Sequence, residues 1–170
     1  IVAPPVTYEV NGRQYVAVEV GWGGVFPLMG GALARLHNTT TNHSRMLVFA
    51  LDGKAALPAE IRDQQIPLKS RQSFDPDKAQ KGYAVYQRYC LACHGDNAVG
   101  GGVLPDLRWS GALEDSTAFY SVVGNGALTN YGMVGFGKEI SHKGIEQIRQ
   151  FLISRSVSSF SHEAGTTKDK

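Results

Sequence analysis

Cys90-Leu91-Ala92-Cys93-His94 is the stretch that decides what this chain folds around. Two thiols two residues apart on one helical turn can each add to a vinyl group of one porphyrin. The histidine that follows is then set beneath the ring, where its imidazole can ligate the iron. The chain has only two cysteines and five histidines, so chance would produce this arrangement in roughly 1 of 3,000 sequences of this composition. A zinc site would require a second pair of thiols or imidazoles at ligand spacing, and the sequence has no second cysteine pair. A thioredoxin-like redox pair would require a strand before the motif and a helix after it. Here a helical pattern precedes it and a glycine-rich stretch follows. Cys90 and Cys93 are therefore read as covalent attachment points for one haem c, and His94 as an axial iron ligand.

The surrounding composition bounds the rest. A chain of 170 residues with 42% hydrophobic and 19% charged residues accommodates one ordinary folded domain and a smaller piece. The net charge of +2 is too small to make a nucleic-acid surface. No apolar run approaches bilayer-spanning length. The chain opens on Ile1 with no signal-like region, which favours a fragment of a longer protein. Both cysteines lie in the haem motif, leaving none for a structural disulfide. Haem c is assembled outside the cytoplasmic membrane, so a bacterial periplasmic location is expected.

The first fifty or so residues read as β. Val6–Val10, the turn Asn11-Gly12 and Arg13–Val20 predict a hairpin. Gly21-Trp22-Gly23-Gly24 breaks the strand, Gly30-Gly31 marks a second loop, and residues 45–51 form a third strand. Three strands cannot bury both faces, so this part is expected to rely on sheet partners elsewhere. Pro58, Pro67 and a mixed polar composition mark a linker lying on a surface. Asp75-Pro76 is a strong helix start, with aspartate as cap and proline at the first helical position. That helix runs through Ala79, Tyr83, Tyr86 and Tyr89 into the haem motif. Residues 113–123 form a second helical pattern. Ser141 caps a last helix, on which Ile145, Ile148, Phe151 and Leu152 recur at helical spacing. The outline is that of a mainly α, class I cytochrome c domain preceded by a small all-β remnant. The expected division is a β segment over 1–54, a linker over 55–74, a haem domain over 75–157 and a polar tail over 158–170.

A second axial ligand is needed for low-spin electron transfer, and three methionines compete. Met46 lies in an apolar strand pattern and reads as core. Met29 is far upstream. Met133 follows His94 by 39 residues, in a glycine-rich loop between the last two helices, where its thioether can reach the open face of the haem. Met/His ligation favours Fe(II) and raises the potential. His142, at the start of a helix, is the rival ligand. Pro105 can offer a carbonyl to His94 Nδ1. Arg108, Trp109 and Tyr131 are candidates for propionate contacts. Gly82 and Tyr86 are expected where the first and last helices cross against Ile148 and Phe151.

Three groups of residues carry a family resemblance. Val6 to Val18 followed by Gly21-Trp22-Gly23-Gly24 resembles the closing part of the eight-bladed propeller of quinohaemoprotein alcohol dehydrogenases. Leu47 to Ala55 resembles that propeller's final strand. Cys90 to Gly95, Gly126-Ala127-Leu128-Thr129 and Gly132-Met133 resemble the family's cytochrome domain. The resemblance implies a parent enzyme that oxidises alcohols at pyrroloquinoline quinone (PQQ) and calcium, then passes electrons through the haem to an external acceptor. That acceptor would be a small copper protein, a cytochrome or a quinone. It also implies that Cys90, Cys93, His94 and Met133 match the family's haem positions, and that Trp22 lies near the quinone pocket. The catalytic groups would then belong to the remainder of the propeller. The alternative is a free-standing periplasmic cytochrome c with an unrelated β extension. A haem enzyme would require an open distal site, with Met133 unligated.

Overall fold

The computed structural model describes residues 3–21, 24–37, 44–57 and 67–166. Strands β1 (Val6–Val10), β2 (Arg13–Val20) and β3 (Arg45–Ala50) form one antiparallel sheet in the order β1-β2-β3. Asn11 and Gly12 both take positive φ, 53° and 74°, as a two-residue type I′ turn requires, and this sets the hairpin register. Tyr8 pairs with Tyr15 across that register and their rings stack at 5.4 Å. Arg13 and Asp52 form an ion pair. One sheet face exposes Val6, Tyr8, Val10, Met46 and Val48, and the other exposes Val16 and Phe49. Both faces are therefore apolar and open. Met46, which the sequence reads as core, is 57% exposed on this sheet: strand alternation predicts an apolar face but not what covers it.

Between β2 and β3 the described residues include two short helices, where the sequence reads only as strand and loop. Helix α1 (Phe26–Met29) has Pro27 in its first turn, and α2 (Gly31–His37) follows directly. Contact made far along the chain holds them. Pro27 is buried, Ala34 is 1% exposed, and the Pro27 carbonyl lies where a side chain on Gly101 would have to go. The Gly31 backbone likewise fills the space beside Asp96. Local alternation could not reveal this, because the stabilising partners are some seventy residues downstream.

The principal core lies in the helical part. Helix α3 (Pro76–Tyr89) starts where Asp75 accepts hydrogen bonds from Asp77 N (3.0 Å) and Lys78 N (3.2 Å). A one-turn helix α4 (Leu91–His94) continues from it, followed by α5 (Ser116–Val123) and α6 (His142–Thr166). Helices α3 and α6 cross at Gly82, where a Cβ would overlap the Gln147 carbonyl oxygen. Phe151 then packs against the rings of Tyr83 (5.4 Å) and Tyr86 (5.2 Å). Leu113, Ile145, Ile148 and Leu152 are fully buried around this crossing, each contributing about 1.5–3 kcal/mol through apolar burial. Arg149 holds the Leu113 carbonyl (2.7 Å) and pairs with Glu146 through two hydrogen bonds.

The segment leading into α3 is strapped down. Ser70 N donates to Ser156 Oγ at 2.9 Å in a buried contact, Arg71 N to Glu114 Oε1 at 3.1 Å, and Asp75 N to Gln150 Oε1 at 2.8 Å. Hydrogen bonding from Ser70, together with the Arg71 and Gln72 contacts, holds the Glu114 carboxyl below its ordinary pKa. No helix among the described residues is long and apolar enough to cross a membrane.

Candidate haem site

The site is built from the end of α3. Tyr89 closes that helix, Cys90 caps it with φ −115° and ψ −32°, and α4 turns once before Gly95 stops it at φ +77°. His94 N donates to Cys90 O (2.9 Å) and Gly95 N to Leu91 O (2.9 Å), so the two thiols and the imidazole share one rigid turn. The buried Tyr86 hydroxyl donates to Gly95 O at 2.8 Å. This latch ties the motif back to the α3–α6 crossing, and no residue pattern announces it. Gly95 is required here twice over: its φ suits glycine, and a side chain would meet the Val99 carbonyl and the Gly31 backbone.

Both cysteines are free thiols, Cys90 buried and Cys93 exposed. Burial, and secondarily the neighbouring Cys93, pushes the Cys90 thiol up to about 12. In chain made without haem, alkylation at neutral pH should modify Cys93 at least about tenfold faster than Cys90. Mass mapping of the labelled cysteines reads this directly, and equal rates would contradict the buried placement.

His94 is largely withdrawn from solvent, and burial lowers its pKa, favouring the neutral imidazole that a metal requires. Its buried Nδ1 has no hydrogen-bond partner. The expected contact from the Pro105 carbonyl is therefore not made. A buried ring nitrogen without a partner costs about 1–3 kcal/mol. The two free thiols at the spacing a porphyrin requires, on one turn with a largely withdrawn neutral imidazole, fit a bound haem.

Met133 is partly buried and packs against the same apolar cluster that contains Cys90, Leu113, Phe119 and Val123. The loop carrying it is tightly hydrogen-bonded. Met133 N donates to Leu128 O (3.2 Å), Phe136 N to Val123 O (2.7 Å) and Gly137 N to Gly124 O (3.0 Å). Gly126 and Gly132 supply its positive-φ turns, 72° and 91°. Tyr89, next to Cys90, meets Phe136 edge-on at 6.1 Å, joining the motif side of the site to the methionine side. The rival His142 is exposed and stacks on Tyr120 at 4.5 Å. Met29 is 43% exposed at the end of α1.

The remaining sequence candidates fare differently. Trp22 lies outside the described residues. Arg108 is committed to Asp106 by two hydrogen bonds, Nε to Oδ1 (2.9 Å) and Nη2 to Oδ2 (2.8 Å). Asp106, only 3% exposed, also accepts from Gly100 N and Arg108 N. The Asp-x-Arg spacing was the available signal for this pair. Arg108 stacks over Trp109 at 5.3 Å. Tyr131 is 86% exposed and stands on the outer surface of the loop.

A CxxCH turn at the end of one helix, crossed by a C-terminal helix at a glycine and followed by a methionine loop, defines a cytochrome c-type domain. Residues 77–152 match the family described as cytochrome c oxidase, cbb3-type, subunit III. Over 170 residues the chain is 52% identical to the alcohol dehydrogenase (quinone), dehydrogenase subunit, of Komagataeibacter europaeus, covering 99% of this chain and 23% of that protein. It is 40% identical to quinohemoprotein alcohol dehydrogenase ADH IIB of Pseudomonas putida, over 94% of this chain and 23% of that one. Among solved structures, quinohemoprotein alcohol dehydrogenase ADHIIG of Pseudomonas putida HK5 superposes with a TM-score of 0.79 at 35% identity, over 92% of this chain and 22% of that one. The chain spans under a quarter of the length of the curated relatives it matches. The relatives it is similar to are thus quinone and quinohaemoprotein alcohol dehydrogenases, and it matches only a part of their length that includes a cytochrome domain.

Proposed function

We propose that this chain relays electrons through one haem c within a larger PQQ- and calcium-dependent alcohol dehydrogenase in the periplasm. Cys90 and Cys93 would hold the haem through thioether bonds, and His94 and Met133 would supply the ligands to its iron. The observation that carries this reading is the turn itself: two free thiols and a half-buried imidazole on one helical turn. When bound, the haem supplies a one-electron Fe(II)/Fe(III) couple. The chain's own work is positional. Tyr86 and Gly95 fix the turn, the Gly124–Gly137 loop holds Met133 in place, and the buried aromatic and aliphatic wall excludes water. A thioether ligand and a dry site both favour the reduced state.

The division into β segment, linker and haem domain at 54, 74 and 157 belongs to the same reading. The exposed apolar faces of the sheet are what sheet partners in a longer propeller would cover. The similarity to dehydrogenase subunits runs through the β segment over 99% of the chain, which favours this origin over an unrelated extension. Alcohol oxidation, with Trp22 near the quinone, is assigned to the larger assembly, and the final acceptor to a copper protein, cytochrome or quinone. The test is ligand exclusion. The ferrous chain should cycle reversibly by one electron and should not bind carbon monoxide at neutral pH. Rapid carbon monoxide binding would mean an open site, and a haem enzyme in place of a relay.

A further inference from the structure

Helices α1 and α2 lie between two strands in the chain, yet they pack on the haem turn. Helix α1 lies against α4, and α2 against the short turn Asp96–Ala98 that follows it. Three glycines permit this approach. A Cβ on Gly101 would overlap the Pro27 carbonyl oxygen. One on Gly31 would meet the Asp96 backbone oxygen at 2.8 Å and its nitrogen at 3.1 Å, and one on Gly95 would lie 3.1 Å from Gly31 Cα. Gly31 and Gly95, at φ +51° and +77°, both hold a conformation that residues with side chains rarely adopt. Pro27 and Ala34 are buried in the same contact.

Gly95 O and Asp96 N belong to a single peptide plane, which moves as one rigid unit. The buried Tyr86 hydroxyl donates to that oxygen at 2.8 Å, and the Gly31 backbone abuts the nitrogen end. The plane is therefore held at both ends, by α3 at one and by α2 at the other. It follows His94 directly, at the residue of the turn with the widest backbone freedom. The bond from Gly95 N to Leu91 O (2.9 Å) restrains only the peptide before it. Resting on the haem reading above, we propose that Tyr86 and Gly31 are positioning residues for the iron's histidine. They clamp the Gly95–Asp96 peptide between them and so fix the plane of the His94 imidazole. Groups that orient a ligating ring tune the metal without touching it. A change in how α1 and α2 seat on the turn would then reach the iron with both ligands still in place.

The test uses the full haem-loaded chain in its ferric state, with Tyr86→Phe, Gly31→Ala and Gly101→Ala made singly and the first two also combined. The paramagnetically shifted proton signals of the haem methyl groups report the imidazole plane, and amide hydrogen exchange reports the turn. Tyr86→Phe keeps the ring and removes only the hydroxyl. It should redistribute the haem-methyl shifts with the visible spectrum unchanged. It should also speed exchange of the Gly95 amide about tenfold relative to amides of α6, the scale of one hydrogen bond. Gly31→Ala and Gly101→Ala should redistribute the same shifts, although neither changes a ligand. The combined variant should move them by less than the sum of its parts, because both changes act on one peptide. If a glycine variant does not accumulate, Tyr86→Phe decides the matter alone. Haem-methyl shifts at parent values in the variants, or exchange that rises equally in α6 and the turn, would mark a merely structural role and overturn the inference. A failure of the haem reading would show separately, as a parent chain without a c-type spectrum.

Discussion

Gly82→Val should abolish accumulation of the folded haem protein. A Cβ at this position overlaps the Gln147 carbonyl and crowds Ile148 N, and both are backbone groups of α6 that no rotamer change can move aside. The helices would have to separate, undoing the Tyr83, Tyr86 and Phe151 contacts and the Tyr86 latch on Gly95. The expected loss exceeds about 4 kcal/mol, a large share of a small domain's stability. Far-ultraviolet circular dichroism and denaturant titration of secreted protein measure it. A Gly82→Val protein within about 1 kcal/mol of the parent would show that the crossing is not as close as described.

Met133→Ala should leave the fold intact and change the metal centre. Met133 is only partly buried, and its loop is held by backbone bonds that alanine retains. The ferric sulfur-to-iron near-infrared band should disappear. The potential should fall on the order of 0.2 V, a fraction of the roughly 0.8 V range that axial ligation controls. An unchanged band and potential would remove Met133 from the site and point elsewhere, His142 being the other sequence candidate. The structure gives His142 no help in that role: it is exposed and stacked on Tyr120.

Features encoded over a few consecutive residues were legible in the sequence. Asn11-Gly12 sets the hairpin with the strand bounds found, Asp75-Pro76 starts α3, and the CxxCH turn places the thiols and the imidazole. The helix crossing at Gly82 was also legible, because small and aromatic residues recur there at helical spacing. Features made by distant contact were not. Helices α1 and α2 depend on Pro27 meeting Gly101 and on Gly31 meeting Asp96; read locally, those glycines only mark loops. Met46 reads as core because alternation reports a face, and the face is open. Arg108 reads as a propionate partner because its charge is visible, while its neutralisation by the buried Asp106 is a matter of geometry. Pro105 was expected to satisfy His94 Nδ1, which depends on how the chain returns beneath the ring, and the nitrogen is unpaired.

The central claim is that Cys90 and Cys93 carry a haem covalently. Acid-acetone extraction of the purified chain, followed by an alkaline pyridine spectrum of the reduced polypeptide, tests it most directly. The account predicts a c-type band that stays with the protein, at one haem per chain, and is lost when both cysteines are replaced by alanine. Haem passing into the acetone phase and leaving a colourless polypeptide would contradict it.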